Sequence, residues 1–370
     1  MQKIEFGKTG IKTARFGLGC MRLPAEQKKT DEIVRYALDH GISYLDTAYI
    51  YDGNEVKVGM ALKDGYRDKA VLATKSPVWD IKSHGDFEKY LDEELKRLQT
   101  DRMDIYLMHS LNPENFKRIV EHDFFSFLDR MLEKGKILHK GFSFHGTNAL
   151  FKEIVDCYDW DMAQIQLNIL DEFEQAGLDG LKYAHERGLA TVIMEPLRGG
   201  HLINDYPGEI DALIDGFPEK RSLVEWAFRW LYNIREADVI LSGVSTMEQL
   251  KQNIAIFDEA EYDCMTSGET ELIHGIKAAY VSRHAVGCTG CRYCMPCPFG
   301  VEIPEVFRYY NKVAMLDKHW LDKSTYRNLV MNEGKGADKC TECGVCIPKC
   351  PQGIMIPEQL KKAQGVLAPE

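Results

Sequence analysis

From residue 16 to about 256 the chain alternates short apolar runs with stretches of helical period, and it does so eight times. The runs are FGLGC (16–20), SYLDT (43–47), AVLAT (70–74), MDIYLMH (103–109), ILHKGFSF (137–144), MAQIQ (162–166), LATVIM (189–194) and DVILSG (238–243). Between them apolar residues recur at three- and four-residue steps, as Leu223, Trp226, Ala227, Trp230, Leu231 and Ile234 do in SLVEWAFRWLYNI. Strand and helix in strict alternation make parallel βαβ units. Eight units in roughly 250 residues match a closed (β/α)8 barrel of the TIM type. An open doubly wound sheet usually has fewer strands and a Gly-rich first turn, and no GxGxxG follows the first run here. Residues 1–15, with Gly10 in a KTGIK turn, read as a hairpin that caps the N-terminal end of the barrel.

In such barrels chemistry sits where strands end and βα loops begin. Asp46 closes the second run, Tyr51 follows five residues later, Lys75 closes the third and His109 the fourth; Ser143 and Gln164 lie near the ends of the fifth and sixth. A lysine ammonium beside a tyrosine lowers the phenol's pKa from about 10 toward neutrality. Asp46 would hold Lys75 by an ion pair, His109 would donate to a carbonyl oxygen, and Tyr51 would be a tuned general acid. Trp79 and Tyr49, in loops beside these residues, are expected to line the pocket, with His145 and Cys20 as further neighbours.

The arrangement resembles the aldo-keto reductase family. LDTAYIYDGNEVKVG (45–59) is similar to that family's Asp-Thr-Ala-x-x-Tyr...Gly-x-Glu-x-x-x-Gly signature, TKS around Lys75 to its lysine motif, and DIYLMH (104–109) to its histidine motif. The resemblance covers about residues 1–260 and implies a nicotinamide-dependent oxidoreductase that reduces a carbonyl or oxidises an alcohol. It makes Asp46, Tyr51, Lys75 and His109 the catalytic tetrad and gives Ser143 and Gln164 the nicotinamide carboxamide. Phe144 stands where the family often has Asn, and Met194 where many members stack a tyrosine. Phosphate binding is expected at LSGVSTMEQLKQN, through Ser242, Gly243, Ser245, Thr246, Gln249 and Asn253, with Arg198 reaching a pyrophosphate. Thr246 and Gln249 have capping-box spacing. Gly243 and Gln249 replace the lysine and arginine of NADP-type members, which leaves both NAD(H) and NADP(H) open.

A connecting helical segment, 261–282, precedes a second domain at 283–370 that is rich in Cys, Pro and Gly around a helical insert. Of eleven cysteines, eight lie between 288 and 350. KCTECGVCIPKCP places Cys340, Cys343, Cys346 and Cys350 at the bacterial ferredoxin spacing, and Cys288, Cys291, Cys294 and Cys297 form a similar run. With the fourth cysteine of each run crossing over, the expectation is two 4Fe-4S clusters: Cys288, Cys291, Cys294 and Cys350 on one, Cys340, Cys343, Cys346 and Cys297 on the other. Two zinc sites of four thiolates each are the alternative. Hydride transfer needs no iron, so the tail is expected to pass single electrons to a ferredoxin or flavoprotein partner, to be structural or redox-sensing, or to belong to a barrel serving as a binding module.

The formal charge of −11 argues against nucleic acid and against anionic membrane as partners. No run of eighteen apolar residues occurs and MQKIEFGKTG has no apolar leader core, so a cytoplasmic protein is expected.

Overall fold

A computed structural model describes residues 1–204, 206–288, 290–316 and 320–368. Its contacts divide the chain into two units: Met1–Pro196 with Glu225–Met265, and Leu197–Val224 with Thr266–Glu370.

The first unit is a closed parallel barrel. A hairpin, β1 (Lys3–Glu5) against β2 (Lys12–Ala14), comes first. The barrel strands are β3 (Phe16–Gly19), β4 (Tyr44–Asp46), β5 (Val71–Ser76), β6 (Met103–Leu111), β7 (Ile137–Phe144), β8 (Met162–Gln166), β9 (Ala190–Met194) and β10 (Val239–Gly243). Each pairs in parallel with the next and β10 closes on β3, so all eight runs read from the sequence are barrel strands.

Period-two alternation decides what each strand shows the interior. Tyr44, Ala73, Ile105, Leu107, Met162, Ala190, Val192, Val239 and Leu241 form one buried cluster. Phe6 joins it from the hairpin, its ring 5.5 Å from that of Tyr44, so the hairpin plugs the barrel as expected. Gly17 and Gly141 leave room for this packing: a Cβ at Gly17 would lie 2.7 Å from Val239 Cγ1, and one at Gly141 2.9 Å from Met162 O. The same alternation fixes the next layer up. Two residues beyond Tyr44, Ala73, Leu107 and Met162 stand Asp46, Lys75, His109 and Gln164.

The helix His84–Leu98 starts at a capping box of Ser83 and Asp86 and buries Phe87, Leu91, Glu94, Leu95 and Leu98. Its spacing puts a carboxyl group, Glu94, on an otherwise apolar face, where the Tyr106 hydroxyl donates to it at 2.7 Å.

The second unit is helical and has its own core. Helices Ile303–Met315 and Ile356–Leu367 bring together Ile303, Val306, Phe307, Val313, Ile356, Leu360, Ala363 and Leu367, with Val286, Val301 and Tyr326. Buried Asn311 holds the approach to the first cysteine run, accepting from Val286 N at 2.9 Å and donating to Val286 O at 2.8 Å. The Tyr326 hydroxyl accepts from Ala337 N at 2.9 Å. Residues 317–319 of the helical insert lie outside the described residues. Among the described residues no helix is long and apolar enough to cross a membrane.

Candidate active site

Four strands deliver the polar layer. β4 pairs with β5 so that Asp46 faces Ala73, and Lys75, two residues on, reaches back across the pair. Its Nζ donates to Asp46 Oδ2 and to Thr47 O, each at 2.7 Å. Both side chains are enclosed, Lys75 at 1% exposure and Asp46 at 3%. A buried ion pair persists only when its members are paired and hydrogen-bonded, because removing one strands the other. Burial acts to lower the lysine pKa, but Asp46 and Tyr51 outweigh it and the net shift is upward, so Lys75 is a fixed cation. Burial raises the Asp46 pKa, with Lys75 opposing it.

Tyr51 lies in the loop after β4, its ring centroid 5.2 Å from Lys75 Nζ and 6.2 Å from the His109 ring in an edge-on arrangement. Here the structure corrects the expected pKa. Burial of the phenol is the largest influence and raises its pKa; Lys75 pulls down and Asp46 pushes up, and the net direction is upward. Tyr51 therefore remains a phenol at neutral pH. His109 is held neutral: burial, Lys75 and His145 together press its pKa well below the usual histidine value. Its Nδ1 is buried and has no partner among the described residues. Trp79 tilts over His109 with ring centroids 5.2 Å apart. Tyr49 lines a pocket with Tyr51, and its ring also lies under the Arg97 guanidinium, Cζ 4.1 Å from the centroid, while its hydroxyl donates to Glu93 at 3.1 Å. Cys20 is enclosed near Asp46 and Lys75, and burial pushes its thiol pKa far up. His145, whose pKa burial lowers, sits within the field of His109.

Ser143 and Gln164 are register partners on β7 and β8, both buried. The register of β6 shifts between Met108 and Leu111, and Ser110, at φ +57°, donates its N–H to Ser143 Oγ at 2.7 Å. Gln164 Oε1 is buried with no partner among the described residues, and its amide nitrogen lies 3.8 Å from Met194 Sδ, with Asp46 also within its reach. Ser242 and Asn253 are bonded to each other, Asn253 Nδ2 donating to Ser242 Oγ at 3.0 Å. The Thr246 and Gln249 capping box forms, with a cost to the expected anion site: Gln249 Oε1 takes the N–H groups of Ser245 (2.9 Å) and Thr246 (3.3 Å). Two amides expected to face a phosphate are thus already satisfied. Gly243 is exposed, and a Cβ there would lie 3.8 Å from Arg22 Nη1. No motif pointed to that arginine. Arg198 falls in the short turn Arg198–Gly200 of the second unit.

Residues 13–215 match the model of the aldo/keto reductase family. The chain belongs to that family. With it comes general NAD(P)H-linked oxidoreductase activity for the barrel. Residues 287–355 match the model of a 4Fe-4S dicluster domain, so the chain joins a reductase barrel to a separate iron-sulfur-associated segment. The chain is similar to the uncharacterized oxidoreductase YqkF of Bacillus subtilis, 28% identical over 290 residues that cover 69% of this chain and 90% of the relative. It is also 28% identical over 308 residues to the NADH-specific methylglyoxal reductase of Escherichia coli, covering 69% of this chain and 93% of that one. Among solved structures, the holo form of an aldo-keto reductase from Bacillus halodurans superposes with a TM-score of 0.62 at 26% identity, over 75% of this chain and 96% of that one. Unpartnered Gln164 Oε1 beside the Ser143 hydroxyl fits a carboxamide, which offers both a donor and an acceptor.

The cysteine expectation is corrected. Cys288, Cys291, Cys294 and Cys350 do border one pocket, walled by Ile303, Phe307, Ile354 and Ile356. Yet among the described residues no group of three or more His, Cys, Asp or Glu is placed to hold a metal ion. That finding overturns the two 4Fe-4S clusters assigned to Cys288, Cys291, Cys294 and Cys350 and to Cys340, Cys343, Cys346 and Cys297, and the zinc alternative with them. A ligand set needs its sulfurs within bonding distance of one centre as thiolates. Here the eight lie in loops and turns, Cys294 within the apolar core and five others packed against it, with no such group formed among the described residues. The residues present do not fit the clusters, and no chemistry is routed through them.

Proposed function

We propose that the barrel reduces a small aldehyde or ketone with Tyr51 as general acid, and oxidises the corresponding alcohol in reverse. The observation that carries this reading is the enclosed Lys75–Asp46 pair at 2.7 Å with the Tyr51 ring against the ammonium. When bound, a nicotinamide supplies the hydride that the carbonyl carbon receives. Ser143 and Gln164 would orient its carboxamide. Tyr51, kept protonated by its burial, gives its phenolic proton to the carbonyl oxygen. The phenolate left behind lies against Lys75, whose charge is fixed and prepositioned, so its stabilisation costs little reorganisation. Solvent then returns the proton. Neutral His109 can donate one N–H to the same oxygen without adding a second cation beside Lys75. Asp46 keeps the ammonium in place.

The Escherichia coli relative is named for methylglyoxal and NADH, which makes both the first reagents to try. The test is NADH and NADPH oxidation by the full chain with methylglyoxal, beside Tyr51→Phe. Turnover that falls by about 100- to 10,000-fold in Tyr51→Phe, with nicotinamide binding retained, supports the reading. Equal rates in the two proteins would end it.

A further inference from the structure

The loop that carries Tyr51 is gripped on both flanks by a side chain from a different helix. Arg97, on the helix His84–Leu98, sends Nη1 to the carbonyl oxygen of Tyr49 at 3.3 Å and to Glu55 Oε2 at 3.1 Å. Its Nη2 donates to Glu93 Oε1, and its plane covers the Tyr49 ring. Glu55, at 1% exposure, turns its other oxygen to the Thr74 hydroxyl at 2.7 Å. Thr74 immediately precedes Lys75, and alternation along β5 sends the two side chains to opposite faces, Lys75 inward and Thr74 toward the helices. The Tyr49 N–H closes the circuit, donating to Lys75 O at 3.3 Å. One network therefore holds the tyrosine's loop and the lysine's strand together from outside the barrel.

We propose that Arg97 is a positioning residue that sets the placement of Tyr51 against Lys75. The inference rests on the Tyr51 reading above. Arg97 touches neither residue's functional atom; it acts through the Tyr49 carbonyl and the Glu55 carboxylate. Behind Glu55 lies Glu94, fully buried, which accepts from Tyr106 and sits 3.5 Å from Thr74 Oγ1. The single Thr74 proton serves Glu55, and two adjacent buried carboxylates do not both ionise readily; burial and Glu55 hold the Glu94 carboxyl well above its ordinary pKa. The charge of Arg97 is thus left to Glu55 and to Glu93. The two-point grip needs a planar fork: a lysine carries the charge but has one nitrogen where arginine has three.

The test uses the full chain with NADH and methylglyoxal, comparing Arg97→Met, Arg97→Lys, Tyr51→Phe and the double variant Tyr51→Phe/Arg97→Met. Misplacement of a reacting group by about 1 Å costs on the order of 100-fold, so kcat should fall about 10- to 100-fold in Arg97→Met and less in Arg97→Lys. The NADH dissociation constant, read by fluorescence, should stay within about twofold. The double variant should be no slower than Tyr51→Phe alone, because a misplaced acid that has been removed has nothing further to lose. The proposal is overturned if Arg97→Met lowers only the melting temperature and leaves kcat within twofold, or if its loss adds in full to that of Tyr51→Phe. Should Arg97→Met fail to fold, the same cycle with Arg97→Lys decides. A Tyr51→Phe protein as fast as wild type would instead defeat the reading beneath, which separates the two failures.

Discussion

The barrel and the tail each carry a run of residues that announces chemistry, and the two runs come to different ends. Asp46 and Lys75 are 29 positions apart and meet at 2.7 Å because strand register leaves them no alternative. The eight cysteines are never more than a few residues from the next within each run, yet they yield no metal-holding group among the described residues. Sequence spacing brings side chains into one neighbourhood. Convergence at bonding distance comes from a scaffold that removes the remaining freedom, which in the barrel is a closed sheet with a fixed alternation of faces.

The strongest way to break this comparison is Lys75→Met. It leaves Asp46 enclosed without its counter-ion, and the cost should be about 3–5 kcal/mol of stability, with turnover reduced on the order of 100- to 1,000-fold. Denaturant unfolding and NADH oxidation measure the two; a variant as stable as wild type would show that the pair is not the scaffold's keystone. Phe6→Ala and Phe307→Ala set one unit's core against the other's. Both side chains are fully enclosed, and each truncation should cost about 3–5 kcal/mol. Hydrogen exchange should register the first loss in the barrel strands and the second in helices Ile303–Met315 and Ile356–Leu367. Equal loosening everywhere would deny separate cores. Thr246→Ala is the mildest probe: removing the cap bond to Gln249 N should cost about 1 kcal/mol and free the Gln249 side chain from the Ser245 and Thr246 amides. Calorimetry reads the first effect. If those two amides are the obstacle to an anion, NADH should bind the variant more tightly, and unchanged affinity would place the phosphate elsewhere.

Much of the barrel was legible because its signals are periodic. All eight strands follow from apolar runs, and the inward placement of Asp46, Lys75, His109 and Gln164 follows from counting two along each strand. The capping hairpin of residues 1–15 was legible from its KTGIK turn, whereas Phe6 as the side chain that plugs the barrel was not. What escaped depends on contacts between elements. Arg97 is an unremarkable helix residue in sequence; only the meeting of its helix with the loop after β4 gives it partners. Tyr49 does line a pocket beside Tyr51, but the guanidinium over its ring was not legible. The pKa of Tyr51 was misjudged for a similar reason: charge was visible in the sequence, whereas the depth of burial that outweighs it was not. The cysteine runs show the converse: spacing was explicit and four of the cysteines border one pocket, yet no metal-holding group forms among the described residues.

The most direct test of the account is the pH dependence of single-turnover NADH oxidation with methylglyoxal by the wild-type chain. Reduction needs the protonated phenol, and burial raises its pKa above the ordinary value of about 10. Rate should therefore be level from about pH 6 to 9 and fall only as pH rises beyond that range, and Tyr51→Phe should lower the rate about 100- to 10,000-fold and abolish that high-pH limb in the residual activity. A limb centred near 6.5 that survives in Tyr51→Phe would hand the proton to a histidine and contradict the assignment of Tyr51 as the acid.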